Sequence, residues 1–190
     1  MQKASKSVGL TYDDLRRLPD DHMRHELIDG EHYVTPAPTP RHQRVLGRVH
    51  LYIGTYLEAH PLGSVFFAPF DVVFDPINCV EPDLLYVSRV REERQMTEDN
   101  LEGAPDLVVE VLSPSTRRVD EGTKLRLYER FGVPEYWVFD PDPEKVRIYR
   151  FKDGRLQLFA ELSRHQGNSV QILSTPLLPG LEIPLDKIFA

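Results

Sequence analysis

The sequence predicts an α/β protein, a mixed sheet with helices packed on it, and three observations carry that expectation. Between residues 41 and 140, segments with helical spacing of apolar residues alternate with short runs rich in Val, Leu, Ile and aromatics, in the order helix, three strands, helix, strand. Further strand-like runs flank this middle part on both sides. The length of 190 residues suits one domain, and no internal repeat divides it. The expected organisation is a single domain over 1–190, with a core at about 41–140 and additions at 10–40 and 141–190 that join the same sheet.

Each element has its own signal. Thr11, followed by Asp13 and Asp14, starts a short helix that Pro19 breaks. The run HELIDGEHYV reads as two short strands around an Asp29-Gly30 turn. Residues 35–40 hold three prolines, which forbids helix interior and makes a stiff entry to the next element. Val45, Leu46, Val49, Ile53, Tyr56 and Leu57 then recur at helical spacing, an amphipathic helix over 41–59 closed by Pro61 and Gly63. From Ser64 the pattern turns to period two and continuous apolar runs, giving strands in SVFFAPFDVVFD, PDLLYV and PDLVVEVLS. A second amphipathic helix covers roughly 117–131 and ends at Gly132 and Pro134. The strand EYWVFD follows, then a hairpin turning at Asp153-Gly154, then VQILS and LEIPLDKIF as further strand and a short closing element.

Composition narrows the function classes. Hydrophobic residues make up 41% and charged residues 28%, which excludes disorder and collagen-like repeats. The one cysteine, Cys79, permits no internal disulfide and no cysteine-built metal cluster, as suits a reducing cytoplasm. No apolar run approaches the roughly 18 residues that span a bilayer, so no membrane partner is expected. The start, MQKASKSVGLTYDDL, lacks the apolar stretch of a signal peptide. There is no G-x-x-x-x-G-K-[ST] loop and no G-x-G-x-x-G, and Ser113 and Ser115 do not sit in a G-x-S-x-G elbow. The 23 basic residues against 30 acidic ones give a net charge of −7, which argues against a surface that attracts nucleic acid everywhere.

Three residues break the apolar pattern. Glu110 sits inside LVVEVLS, where an unpaired carboxylate in a doubly buried strand is costly; an edge strand with an outward glutamate is the plain alternative. Asp83 begins the strand PDLLYV behind Pro82, and it can stand beside Glu110 if the two strands pair. Asp106 cannot share an ion with Glu110, because four residues along one strand separate side chains by about 13 Å. Glu81, Asp71 and Asp75 rank below Asp83. On a helical wheel Lys124 shares a face with Leu127, Tyr128 and Phe131, where its stem either snorkels along the core or delivers an ammonium to Glu110. Two carboxylates and a lysine converging on one spot suggest metal-assisted hydrolysis of a phosphodiester. Oxygen-only ligands at Asp83 and Glu110 suit Mg²⁺ or Mn²⁺, and Lys124 would orient the nucleophile or stabilise charge on the phosphate oxygens.

Pro82-Asp83 and Glu110-Val111-Leu112 resemble the PD-(D/E)XK nuclease superfamily, in which an Asp ends one strand, a second acid sits on the next and a lysine follows two positions on. Position 112 is Leu here, and Lys124 on the following helix is the position that fits instead. HELIDGE, PDLVVEVLSPST and KLRLYERFGVPEYW are similar to phrases of an uncharacterised restriction endonuclease domain family. The resemblance covers roughly 10–150 and implies a restriction endonuclease-like fold acting on nucleic acid, DNA in the first place. It also implies that Glu26 approaches the metal and that His42, beside Arg41 in a basic first helix turn, touches the nucleic acid. For Glu26 the plain alternative is a surface carboxylate before a turn, and for His42 a solvent-facing position. A homodimer would be a natural way to cut two strands. The competing function is a nuclease fold without catalysis, serving as a nucleic-acid- or protein-binding module.

Overall fold

A computed structural model describes residues 9–19, 21–165 and 169–190. The reading of the first eight residues as no signal segment lies outside them. The chain begins with α1 (Tyr12–Leu15), closed by a capping box in which Asp14 N–H donates to Thr11 Oγ1 and the Thr11 N–H donates to the Asp14 carboxylate. A hairpin of β1 (Arg24–Ile28) and β2 (Glu31–Thr35) follows, then the long helix α2 (Pro40–Ala59). Next come β3 (Gly63–Phe67), β4 (Val72–Asp75), β5 (Asn78–Val80), β6 (Leu84–Ser88), α3 (Arg89–Gln95), β7 (Leu101–Glu102) and β8 (Leu107–Val111). A π-helical turn (Val119–Lys124) runs straight into α4 (Leu125–Arg130). The remainder is β9 (Glu135–Asp140), β10 (Lys145–Lys152), β11 (Arg155–Ser163), β12 (Ile172–Leu173), β13 (Ile183–Pro184) and α5 (Leu185–Ile188).

The mixed α/β class and the helix, three strands, helix, strand core are present as α2, β3, β6, β8, the 119–130 helical segment and β9. The six-stranded sheet has the order β11-β10-β9-β8-β6-β3, with β8 and β9 parallel and the other neighbours antiparallel. The C-terminal hairpin β10–β11 extends this sheet as expected, but the last two strands do not: β12 and β13 pair with each other in a small sheet of their own. Nor does the N-terminal hairpin: it joins a second sheet of order β2-β1-β5-β4-β7. The run SVFFAPFDVVFD is not one strand either. It breaks at Ala68-Pro69 into β3 and β4, one in each sheet, because Pro69 has no N–H to continue a ladder. The hairpin turns follow their sequence signals: Asp29 and Gly30 have φ of 54° and 74°, Asp153 and Gly154 of 53° and 79°, the pair of positive φ that a type I′ turn requires.

Period two in the central strands sorts residues between two cores. Leu107, Val109 and Val111 of β8, with Leu84 and Tyr86 of β6, pack on Val45, Val49 and Ile53 of α2 and on the C-terminal residues Ile183 and Ile188. Val108 and Leu85 face the other way, onto Leu127 and Tyr128 of α4 and Val72 and Val80 of the second sheet. Glu110 belongs by alternation to that second face. It is an acid pointing into the layer between the two sheets and the π/α4 helix.

Candidate active site

The register of the main sheet brings the first two acids together. Leu84 pairs with Val109, so the next step of the ladder puts Asp83 opposite Glu110. Two hydrogen bonds close that step: Asp83 N–H donates to Glu110 Oε2 at 3.3 Å, and Val111 N–H donates to Asp83 Oδ2 at 2.8 Å. Asp106 lies away from this end, where its carboxylate accepts from Ser88 N–H at 2.7 Å and pairs with Arg91 at 3.0 Å. Asp71 accepts from the Tyr12 hydroxyl, and Asp75 is used by the backbone of Ile77.

The lysine reaches the same place from the helix. Lys124 is only 4% exposed, and its Nζ lies 2.8 Å from Glu26 Oε1, 2.9 Å from Glu110 Oε1 and 3.8 Å from Asp120 Oδ1. The turn that carries it is π-helical, not the α-helix expected over 117–131. A π turn bonds i to i+5, which widens the helix and re-aims the side chains on it, and such turns recur at functional sites. Arg117 fastens the turn to the sheet through a two-pronged pair with Asp140 at 2.6 and 2.8 Å, and Tyr136 donates its hydroxyl to the Asp120 carbonyl at 3.2 Å. Tyr128, one turn beyond Lys124, donates to Glu110 Oε1 at 3.0 Å.

The remaining site candidates fall on both sides of the cluster. Glu26 is buried on β1, accepts from Glu81 N–H at 2.9 Å and holds Lys124. His42 is buried too, with Nε2 2.9 Å from Asp83 Oδ2. A carboxylate only accepts, so Nε2 carries the proton, and Nδ1 is left buried without a hydrogen-bond partner among the described residues. Neither residue is the surface side chain of the plain alternative. Arg41 turns away from the cluster, pairing with Asp142 at 2.9 Å and donating to the Pro141 carbonyl. Sequence reasoning missed two members, Arg24 and Asp120. Arg24 Nη1 donates to Asp83 Oδ1 at 2.8 Å, and Asp120 is buried one turn before Lys124. Their signals were spacing: Arg24 stands two before Glu26 on a strand, and Asp120 four before Lys124 on a helix.

Burial and crowding set the charge states. Burial pushes the Glu110 carboxyl up to about 8, against the pull of Lys124 and with the push of Asp83 and Asp120. Burial likewise raises Asp120 to about 6 and Glu81 to about 7. Burial opposes the ammonium of Lys124, but Glu110, Glu26 and Asp120 outweigh it and hold the group well above its ordinary value. Lys124 is therefore a fixed cation, not a base. Burial also opposes the Asp83 carboxylate, but His42, Arg24 and the Val111 N–H keep it at about 2. For Glu110, Asp120 and Glu81 the folded value lies above the unfolded one. The stability they lend is whole below the unfolded value and is lost as pH rises through the folded value. Without divalent ions the chain should melt at a higher temperature at about pH 5.5 than at about pH 8, a difference read by thermal denaturation in EDTA.

A cleft of about 360 Å³ opens onto the cluster between the proline-rich strap at 35–38 and the segment from Val111 to Asp120. Among the described residues no three His, Cys, Asp or Glu side chains stand in a metal-holding group. The carboxylate oxygens instead face Arg24, His42 and Lys124. That donor set still fits a hard divalent cation: its ligands are oxygens, and Mg²⁺ commonly takes one or two carboxylates with water and substrate phosphate making up the rest. The charge also fits: among the described residues the four acids Glu26, Asp83, Glu110 and Asp120 share two fixed cations, Arg24 and Lys124, and a divalent ion would favour the ionised form of the raised Glu110 carboxyl.

The core of helix, three strands, helix and strand on a mixed sheet is a restriction endonuclease-like fold, with Asp83, just before β6, and Glu110 of β8 side by side on it. The chain belongs to the Uma2 family, described as "Putative restriction endonuclease", whose model matches residues 12–186. The same fold occurs in a protein of Anabaena variabilis ATCC 29413, described as a putative nuclease belonging to DUF820. The two share a TM-score of 0.76 and 19% identity, over 95% of this chain and 97% of the other. An uncharacterised protein of Synechocystis sp. (strain PCC 6803), slr1290, is 26% identical over 131 residues, 68% of this chain and 67% of its own length. No helix among the described residues is long and apolar enough to cross a membrane.

Proposed function

We propose that the chain is a divalent-metal-dependent endonuclease that hydrolyses phosphodiester bonds of DNA. The observation that carries this reading is the pairing of Asp83 with Glu110 at the floor of an open cleft, with Lys124 Nζ 2.9 Å from Glu110. Asp83 and Glu110 would hold Mg²⁺ or Mn²⁺, with Glu26 beside them. The ion supplies neutralisation of the phosphate and acidification of a water. The chain's own residues do the rest. Val111 N–H, His42 and Arg24 fix the Asp83 carboxylate, so its direction is set before anything binds. Lys124 keeps a positive charge next to Glu110, where it orients the attacking water and meets charge that builds on the phosphate oxygens. A twofold pair of chains would place two such sites on opposite strands, and the reduced, buried Cys79 suits work in the cytoplasm.

One observation favours a second reading, a nuclease fold that binds without cutting. Both oxygens of Asp83 already have partners in the chain, so an ion must compete with Arg24 and His42. A cleavage assay separates the two. Single- and double-stranded DNA, with RNA for comparison, is incubated at high enzyme concentration with Mg²⁺, Mn²⁺ or EDTA. Metal-dependent cutting of DNA that disappears in Asp83→Asn is expected, and equal behaviour of wild type and variant defeats the catalytic reading.

A further inference from the structure

Two clefts meet at Arg24. One, of about 360 Å³, holds the carboxylate cluster; the other, of about 540 Å³, lies beyond Arg24 and His42 and is walled by Met23, Leu46, Pro69 and Glu81. The strap at 35–38, Arg24, His42 and Asp83 line both, so the two clefts adjoin at Arg24.

Arg24 differs from the other cations of the site in having most of its donors to spare. Lys124 gives two of its three donors to Glu26 and Glu110, which leaves one for the reacting position itself, and the proton on His42 Nε2 is given to Asp83. Arg24 uses Nη1 alone, for Asp83 Oδ1 at 2.8 Å and the Glu81 carbonyl at 3.3 Å. Its Nη2 and Nε make no hydrogen bond among the described residues, and 19% of the side chain is exposed to the clefts it lines. The guanidinium is thus anchored by one nitrogen and open at two. A guanidinium fork suits phosphate oxygens, and an incoming polyanion needs such a partner because the buried acids around it outnumber the cations.

We propose that Arg24 binds the backbone phosphate next to the one that is cut, at the passage between the clefts, so that the substrate strand runs from the carboxylates under the 35–38 strap into the second cleft. The assignment rests on the phosphodiester-cleaving reading for the identity of the strand, but it makes a binding claim that needs no cleavage. Arg24 would then be a substrate-binding residue that at the same time steadies Asp83.

The test is binding of fluorescein-labelled DNA 20-mers, single- and double-stranded, to the full chain in EDTA across a range of salt. Arg24→Gln should weaken binding about tenfold or more, and it should make the plot of log affinity against log salt shallower by about one charge. A purely structural arginine would leave that slope unchanged. Arg24→Lys keeps a cation for Asp83 and guards against a variant that merely unfolds; it should lose affinity as well, since one ammonium does not replace the open fork. A folded Arg24→Lys or Arg24→Gln chain with wild-type affinity and slope overturns the assignment, as does a wild-type chain that binds neither DNA. Cleavage with Mn²⁺ is scored separately. Its absence in every chain, with the binding difference intact, sinks the nuclease reading and supports Arg24 as a phosphate-binding residue.

Discussion

Glu110→Gln is expected to lower DNA cleavage by at least about 100-fold while leaving the fold as stable as wild type or more so. The loss follows from charge: an amide offers a divalent ion and a developing phosphate charge no anion to work against. The stability follows from burial. An ionised carboxylate between two sheets is disfavoured, which is why the Glu110 carboxyl is pushed up to about 8. Gln has nearly the same shape, and its carbonyl oxygen still accepts from Lys124 and from the Tyr128 hydroxyl, which both meet Oε1; its amide nitrogen takes the place of Oε2 and forfeits only the long 3.3 Å bond from Asp83 N–H, a small loss beside the buried charge removed. Gel assays of cleavage and thermal melts at about pH 8 read the two effects. An active variant, or an inactive one that melts far below wild type, would mean that Glu110 is a structural anchor and not part of the chemistry.

Lys124→Met should have the largest effect on stability. Removing one partner of a buried ionic cluster leaves the others uncompensated, a cost of about 3–5 kcal/mol. Here three carboxylates, each no more than 3% exposed, lose one ammonium. The urea midpoint should fall accordingly, and cleavage should vanish with it. Lys124→Met combined with Glu110→Gln should recover part of the loss, because one of the stranded charges is gone. A single variant as stable as wild type would contradict the closed cluster. A double variant no better than the single would show that Glu110 and Lys124 do not couple.

Much of this site was legible because it violates simple patterns. Glu110 stands out in LVVEVLS because alternation and burial leave no cheap place for an acid there, and Asp83 stands out by following Pro82 at a strand start. Lys124 was visible on a helical wheel, although the turn that carries it is π-helical. Arg24 was not visible, because its contact with Asp83 spans 59 positions and depends on how the β1–β2 hairpin folds over the main sheet. The hairpin's own sheet was missed for a related reason. Strand partners are long-range facts, and only the position of Pro69 hinted that the run from Ser64 to Asp75 must change sheets. Asp120 looked like any helix acid, since its burial comes from the π turn pressing it against Lys124. Net charge was the least informative feature. At −7 the chain looks unsuited to nucleic acid, yet part of that excess is the buried group of Glu26, Asp83, Glu110 and Asp120.

The idea that Asp83 and Glu110 hold one ion is tested most directly by diffraction from a crystal of the full chain soaked in Mn²⁺, using the anomalous signal of the metal. A single strong peak within ligand distance of both carboxylates is expected, and it should be lost in Glu110→Gln. A peak elsewhere, or none at a Mn²⁺ concentration that supports cleavage, would contradict the proposed centre.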